Sequence, residues 1–179
     1  DSVLADHLIM ILSEHYLKKK KGAIIFDVKC SSQLPILIEN FGGTAIMEKT
    51  GHFNIKKAIK KYNAILGGEM SGHIFINHDW YGFDDAIYTA VMLAKVISDT
   101  GQPASSVIEQ FPKTFTTPEL NLDVDDVSKF KMVEKFKEQM QFPDAEFNTV
   151  DGVRVSIGSS WGLMRASNTS PKPVSYTHL

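Results

Sequence analysis

Apolar positions in the first hundred residues alternate between helical spacing and short unbroken runs. Leu4, Leu8, Ile11, Leu12 and Tyr16 recur every three or four residues, which predicts an amphipathic helix. The lysines at 18–21 and Gly22 close it, placing cations at the helix's negative end. The run AIIFDV, residues 23–28, is apolar without alternation and predicts a strand buried on both faces. A helix over 33–41 follows and stops at Gly42-Gly43. Strand TAIMEKT, helix NIKKAIKKY, strand AILGGEMSGHIFIN and helix DDAIYTAVMLAKVIS continue the alternation. The pattern predicts an α/β domain over residues 1–108 with a mixed, mainly parallel sheet.

After Gly101 the pattern changes. QPASSVIEQFPKTFTTPEL carries three prolines and little periodicity, and an interdomain linker is expected at 109–120. DDVSKFKMVEKFKEQM is an amphipathic helix with Asp125 or Asp126 near its N-cap, and short strands are expected around VDGVRVSIG and WGLMRAS. Residues 121–174 therefore predict a small α+β domain. The last strand is expected to break off after Pro173-Val174, and SYTHL, residues 175–179, reads as a non-native tail. The sequence also opens directly in a helix, so elements are expected to be lacking at both edges of the fold.

Composition narrows the function classes. Nineteen basic against twenty-one acidic residues leave a net charge of -2, so no global field recruits nucleic acid or an anionic membrane, and an anion must be held locally. Cys30 is the single cysteine, which excludes an internal disulfide, and no apolar run is long enough to span a bilayer. A cytoplasmic setting is expected.

Two segments carry the most chemistry. Gly67-Gly68-Glu69-Met70-Ser71-Gly72-His73 lies between the apolar runs AIL and IFI, and its glycines let the backbone bend close to a ligand. Glu69 accepts two hydrogen bonds, Ser71 donates and accepts, and His73 can also carry a proton near neutral pH; together they suit a polyhydroxylated substrate. A polar hairpin turn is the equally weighted alternative. The second segment is Arg165-Ala166-Ser167-Asn168-Thr169-Ser170-Pro171, in which a guanidinium fork and several hydroxyl and amide donors suit a phosphate. A solvated turn is again the alternative. Arg165 is expected to be exposed, so that its removal weakens phosphate binding and spares stability.

Lys29 in DVKCS and His52 in KTGH end the first two predicted strands. Ligands of open α/β sheets gather beyond the carboxyl ends of strands, so these loops and the Glu69 loop are expected to converge on one crevice. An exposed lysine and a helix-capping histidine are the plainer alternatives. Asp123, Asp125 and Asp126 lack the glycine turn and ligand spacing of a calcium loop and are read as helix-capping residues. Cys30 is read as a small strand-end residue. Phe75, Trp80, Tyr81 and Phe83 suit the core better than a sugar platform, and the lysines at 18–21 suit a solvated face.

At FDVKCS, EKTGH, GGEMSGH with the following WYGFDDAIYTA, and DGVRV with WGLMRASNTSP, the chain resembles the α-D-phosphohexomutase superfamily, of the phosphomannomutase/phosphoglucomutase type. The likeness runs in order from the first helix to Pro173. It implies most of a third domain followed by most of a fourth, the latter of TATA-binding-protein-like fold. It further implies reversible transfer of phosphate between the 1- and 6-positions of a hexose, through a phosphoserine and a bisphosphate intermediate. By that resemblance Glu69 and Ser71 hold the sugar's 3- and 4-hydroxyls, Lys29 and His52 line the sugar site, and His73 is the candidate general acid/base. Arg165, Ser167, Asn168 and Thr169 hold the non-transferring phosphate. Met70 points to mannose or glucose phosphate over glucosamine phosphate.

The sequence contains neither a Ser-His-Asn-Pro stretch nor an Asp-Gly-Asp-Gly-Asp-Arg loop. The phosphoserine and the Mg2+ implied by the family are therefore expected from N-terminal domains of a longer parent chain, no metal site is expected here, and this chain alone is expected to be inactive. A non-catalytic sugar-phosphate binding module is the alternative of another class.

Overall fold

A computed structural model describes the chain apart from residues 1, 2, 123, 126, 127, 168–172 and 179, and gives 173–178 by their backbone alone. Two compact units emerge, Asp1–Lys113 and Thr114–Leu179.

The first unit runs α1 (Ala5–Lys19), β1 (Ala23–Asp27), α2 (Gln33–Asn40), β2 (Thr44–Glu48), α3 (His52–Tyr62), β3 (Leu66–Gly68), β4 (Ile74–Ile76), α4 (Ala86–Thr100) and α5 (Ala104–Glu109). Its sheet has the order β2-β1-β3-β4, with β1 parallel to both β2 and β3 and β4 antiparallel at the edge. Alternation along β1 divides the core. Ile24 and Phe26 face a layer containing Ile9, Leu12 and Tyr16 of α1, Leu34 and Ile38 of α2 and Val96 of α4. Ile25 faces Ile55, Ala58 and Ile59 of α3, together with Phe75. The crossover through α2 joins β1 to β2, the one through α3 carries β2 back past β1 to β3, and the two helices lie on opposite faces of the sheet. That arrangement makes the carboxyl ends of β1 and β3 a topological switch point, where the two flanking loops part and leave room for a ligand.

Three features differ from the sequence expectation. The stretch read as one strand, residues 64–77, folds as the antiparallel hairpin β3–β4, with Gly68 paired to Ile74. α5 forms where little periodicity was visible; it follows Pro103, whose fixed φ suits a helix start, and it is anchored by buried Val107 and Phe111. α1 is buried over more than the expected stripe, including Asp6, Ile9, Met10 and Ser13, because α2, α4, α5 and β3 all pack around it. Of the four aromatics, Phe75 is core, Trp80 is half-buried and stacked on Tyr88 at 4.0 Å, and Tyr81 and Phe83 are exposed. No helix among the described residues is long and apolar enough to cross a membrane.

The second unit contains β5 (Leu120–Asn121), α6 (Ser128–Gln139), β6 (Glu146–Asn148), β7 (Val153–Ile157), β8 (Ser160–Ala166) and β9 (Pro173–His178). The strands form an antiparallel sheet of order β5-β9-β8-β7-β6 against which α6 packs. β9 does not break off at Val174; Ser175, Tyr176, Thr177 and His178 continue its ladder with β8. Among the described residues, Val133, Val153, Trp161, Leu163 and Ala166 are buried apolar side chains, and the Arg154 guanidinium lies 3.7 Å from the centroid of the Trp161 ring. Asp125 accepts hydrogen bonds from the backbone N–H and hydroxyl of Ser128 at the start of α6, a capping role. Asp123 and Asp126 lie outside the described residues.

Candidate functional site

The β3–β4 hairpin makes the Glu69 loop. Glu69 N–H donates to the carbonyl of His73 and Gly72 N–H to the carbonyl of Glu69, both at 2.9 Å. Gly72 has φ +98°, a conformation that L side chains rarely adopt, so glycine is required for this tight return. The turn is therefore a hairpin, as one sequence reading held, and it is also the element that presents Glu69, Met70, Ser71 and His73.

Glu69 is 2% exposed. Its Oε2 accepts from the backbone N–H of Gly51 at 2.8 Å, while its Oε1 is buried with no hydrogen-bond partner among the described residues. Burial raises the Glu69 pKa above the ordinary carboxylate range; the Gly51 bond opposes this, and the nearby Asp27 carboxylate adds to it. The fold therefore favours a protonated Glu69. Such a contribution is complete below the ordinary glutamate value of about 4.3 and is lost as pH rises through the folded value. Relative to Glu69→Gln, the wild-type chain is expected to lose stability as pH rises from about 4 toward neutrality. Urea unfolding of both proteins across that range checks this, and parallel stability profiles would rule it out.

Lys29 lies at the end of β1 with its Nζ 3.9 Å from Asp27 Oδ2. His52 is exposed at the first position of α3, immediately after the Gly51 that binds Glu69. Lys29, Gly51-His52 and Glu69 are thus brought together at the ends of β1, β2 and β3, linked by hydrogen bonds through Asp27 and Gly51. Ser71 is exposed on the same loop, and the Met70 side chain is half-buried against the core. Cys30 is fully buried, its thiol donating to Asp27 at 3.2 Å; burial pushes that thiol up and makes it a poor nucleophile.

His73 Nδ1 lies 2.6 Å from Asp84 Oδ2. Asp84 was not singled out by sequence reasoning. The bridge pairing Asp84 with Phe75 holds it beside the loop, a contact eleven residues away in sequence that no local pattern reveals.

In the second unit, Arg165 ends β8 but is not exposed. It is 5% accessible, and its Nε donates to Asp151 Oδ2 at 3.0 Å. This overturns the expectation of an exposed clamp: the arginine is a buried ion-pair partner near the end of β8, a strand paired on both sides. Ser167 is also buried, and its carbonyl accepts from Lys129 Nζ at 2.9 Å. Asn168 and Thr169 lie outside the described residues. Asp151 and Lys129 were missed because their partners lie 14 and 38 residues away, although a charged residue on the apolar face of a helix is itself a signal.

An α/β/α unit with three strand-end loops at a switch point, followed by a unit built on an antiparallel sheet, has clear counterparts. Residues 5–115 match the family described as phosphoglucomutase/phosphomannomutase, alpha/beta/alpha domain III. The chain belongs to the phosphoglucomutase/phosphomannomutase family. It is 48% identical over 170 residues to a phosphomannomutase/phosphoglucomutase of Pseudomonas putida, covering 94% of this chain and 37% of that one. A phosphoglucomutase of Neisseria gonorrhoeae is 41% identical over 172 residues, with the same coverage of 94% and 37%. A solved structure of a phosphoglucomutase/phosphomannomutase family protein from Burkholderia thailandensis matches with TM-score 0.91 and 35% identity, over 98% of this chain and 37% of that one. The chain thus spans a little over a third of the length of these relatives.

Proposed function

We propose that this chain is the sugar- and phosphate-recognising part of a phosphohexomutase that interconverts the 1- and 6-phosphates of mannose or glucose. The observation that carries the reading is Glu69: a buried carboxylate at the switch point, with one oxygen held by Gly51 N–H and the other without a partner among the described residues. A buried acceptor left unsatisfied costs free energy that a ligand hydroxyl relieves.

In this reading Glu69 accepts from one sugar hydroxyl and Ser71 engages its neighbour, a pair that presents a similar face in both orientations of a bisphosphate. Lys29 and His52 line the same crevice. With His73 Nδ1 protonated and donating to Asp84, Nε2 carries the lone pair and can take the proton of a reacting hydroxyl. Arg165, its Nε committed to Asp151, offers its two Nη groups to the non-transferring phosphate, with Ser167, Asn168 and Thr169. Holding that remote phosphate orients the reacting one. The phosphoserine that exchanges phosphate is assigned to N-terminal domains of the parent chain. Among the described residues no group of three or more His, Cys, Asp or Glu side chains is placed to hold a metal ion. Because the sequence carries no Asp-Gly-Asp-Gly-Asp-Arg loop, Mg2+ is assigned to the N-terminal domains of the parent chain, and no step here passes through it. A lone, buried cysteine fits a cytoplasmic enzyme.

Calorimetric titration tests the reading. The chain is expected to bind mannose 6-phosphate or glucose 6-phosphate more tightly than glucosamine 6-phosphate. Glu69→Gln is expected to weaken hexose phosphate binding roughly tenfold while sparing inorganic phosphate. Equal loss of both ligands would show that the two loops do not divide the recognition in this way.

A further inference from the structure

The three strand-end loops of the first unit are tied into a closed ring. From the end of β1, Asp27 Oδ1 accepts from the backbone N–H of Met70 at 3.0 Å, which fixes the Glu69 loop. From that loop, Glu69 Oε2 accepts from the backbone N–H of Gly51 at 2.8 Å, which fixes the loop after β2. From there, the Thr50 hydroxyl donates to Asp27 Oδ2 at 2.9 Å and returns to β1. Each loop thus holds the next. Asp27 is fully buried and also accepts from the Cys30 thiol at 3.2 Å, so the side chain at the ring's centre is gripped through both oxygens.

From this geometry we infer that Asp27 and Thr50 are positioning residues for sugar recognition, acting through the ring to hold Glu69 in place. The inference rests on the proposed function, since it assigns these residues to the same site. β3 and β4 pair over only three residues each, β3 ends in two glycines and the loop contains a third, Gly72, so the hairpin alone holds Glu69 weakly. Two of the three bonds in the ring end on Asp27, a fully buried acceptor with no access to water, so they are costly to break. A carboxylate that must offer one oxygen to a diol while the other is tethered needs the tether itself fixed. Gly51 N–H is the tether, and Thr50, its chain neighbour, is what fixes it. Precise placement of such a group is worth more than its mere presence.

Thr50→Val keeps the side-chain shape and deletes the hydroxyl that closes the ring, whereas Thr50→Ser retains it. In the wild-type chain, Thr50→Val and Thr50→Ser, amide hydrogen exchange at Met70 and Gly51 is measured together with calorimetric affinity for mannose 6-phosphate and for inorganic phosphate. The valine variant is expected to exchange faster at both amides and to bind mannose 6-phosphate roughly tenfold more weakly, with inorganic phosphate affinity unchanged, a modestly lowered melting temperature from the lost bond to buried Asp27, and recovery of both in the serine variant. Unchanged mannose 6-phosphate affinity in Thr50→Val, or a serine variant as weak as the valine one, overturns the inference. Should the wild-type chain bind inorganic phosphate but no hexose phosphate, the proposed function falls; the ring is then judged on exchange alone, and amides no less protected in Thr50→Val than in wild type overturn it too.

Discussion

Arg165→Ala is expected to destabilise the second unit by about 3–5 kcal/mol, the cost of breaking a buried ion pair from one side. The arginine and Asp151 side chains are 6% and 14% exposed, and the Nε to Oδ2 distance is 3.0 Å. Alanine leaves the Asp151 carboxylate buried without its Arg165 cation, so the desolvation cost of that charge remains while the attraction that offset it is gone. Asp151 has little freedom to swing out to water. The next residue, Gly152, holds φ +76°, and a Cβ there would lie 2.3 Å from the carbonyl oxygen of Met164 and 2.7 Å from the Cα of Arg165. The chain at this turn is therefore pressed against β8 in a conformation only glycine adopts without strain. Replacing both partners with leucine is expected to recover most of the loss, because an apolar pair carries no buried charge. Urea unfolding of wild type and the two variants checks this; an Arg165→Ala variant within about 1 kcal/mol of wild type would mean the pair is effectively solvated, as exposed pairs are. The practical consequence is that lost phosphate binding in Arg165→Ala cannot be credited to a missing ligand contact until folding of the unit has been verified.

Phe75→Ala is expected to cost the first unit about 3–5 kcal/mol, the range for deleting a fully buried aromatic ring. Phe75 is 0% exposed and packs with Ile25, Ile55, Ala58, Ile59 and Ala64 on the α3 side of the sheet. Its β-ladder partner is Gly67, where a Cβ would come within 2.7 Å of Ile59 Cδ1, so this layer has no slack to close around a void. The ring also underlies both arms of the site, since Phe75 pairs with Gly67 just before Glu69 and bridges to Asp84, the partner of His73. Phe75→Leu, which keeps most of the volume, is expected to lose much less. Thermal or urea denaturation distinguishes the two, and a similar small loss in both variants would remove Phe75 from the core.

Much of this architecture was legible from the chain itself. Unbroken apolar runs at β1 and β2 and helical spacing in α2, α3 and α4 suffice for a parallel α/β layer, because each reports burial on a single period. The β3–β4 hairpin was read as one strand, since its turn is flanked by apolar triplets and carries no Asn-Gly or Asp-Gly signal. β5 and β6, two and three residues long, are too short to show alternation. At the site, Glu69, Ser71 and His73 stood out because polar residues between glycines at a strand end are conspicuous. Asp27, Thr50, Asp84 and Asp151 did not, because each owes its importance to a partner distant in sequence. Asp27 did leave one trace, a carboxylate closing an otherwise apolar run, which a buried strand tolerates only when its oxygens are satisfied.

The ring around Asp27 uses only the main-chain N–H of residue 70 and the main-chain N–H of residue 51. Position 70 is thereby freed from supplying a side-chain atom and position 51, at φ +121°, is held to glycine by its backbone, whereas 27, 50 and 69 must supply particular atoms. Residue 70 can therefore change without loss of the ring's bonds so long as the half-buried fit of Met70 against the core is kept, but 27 and 50 must change in concert or not at all.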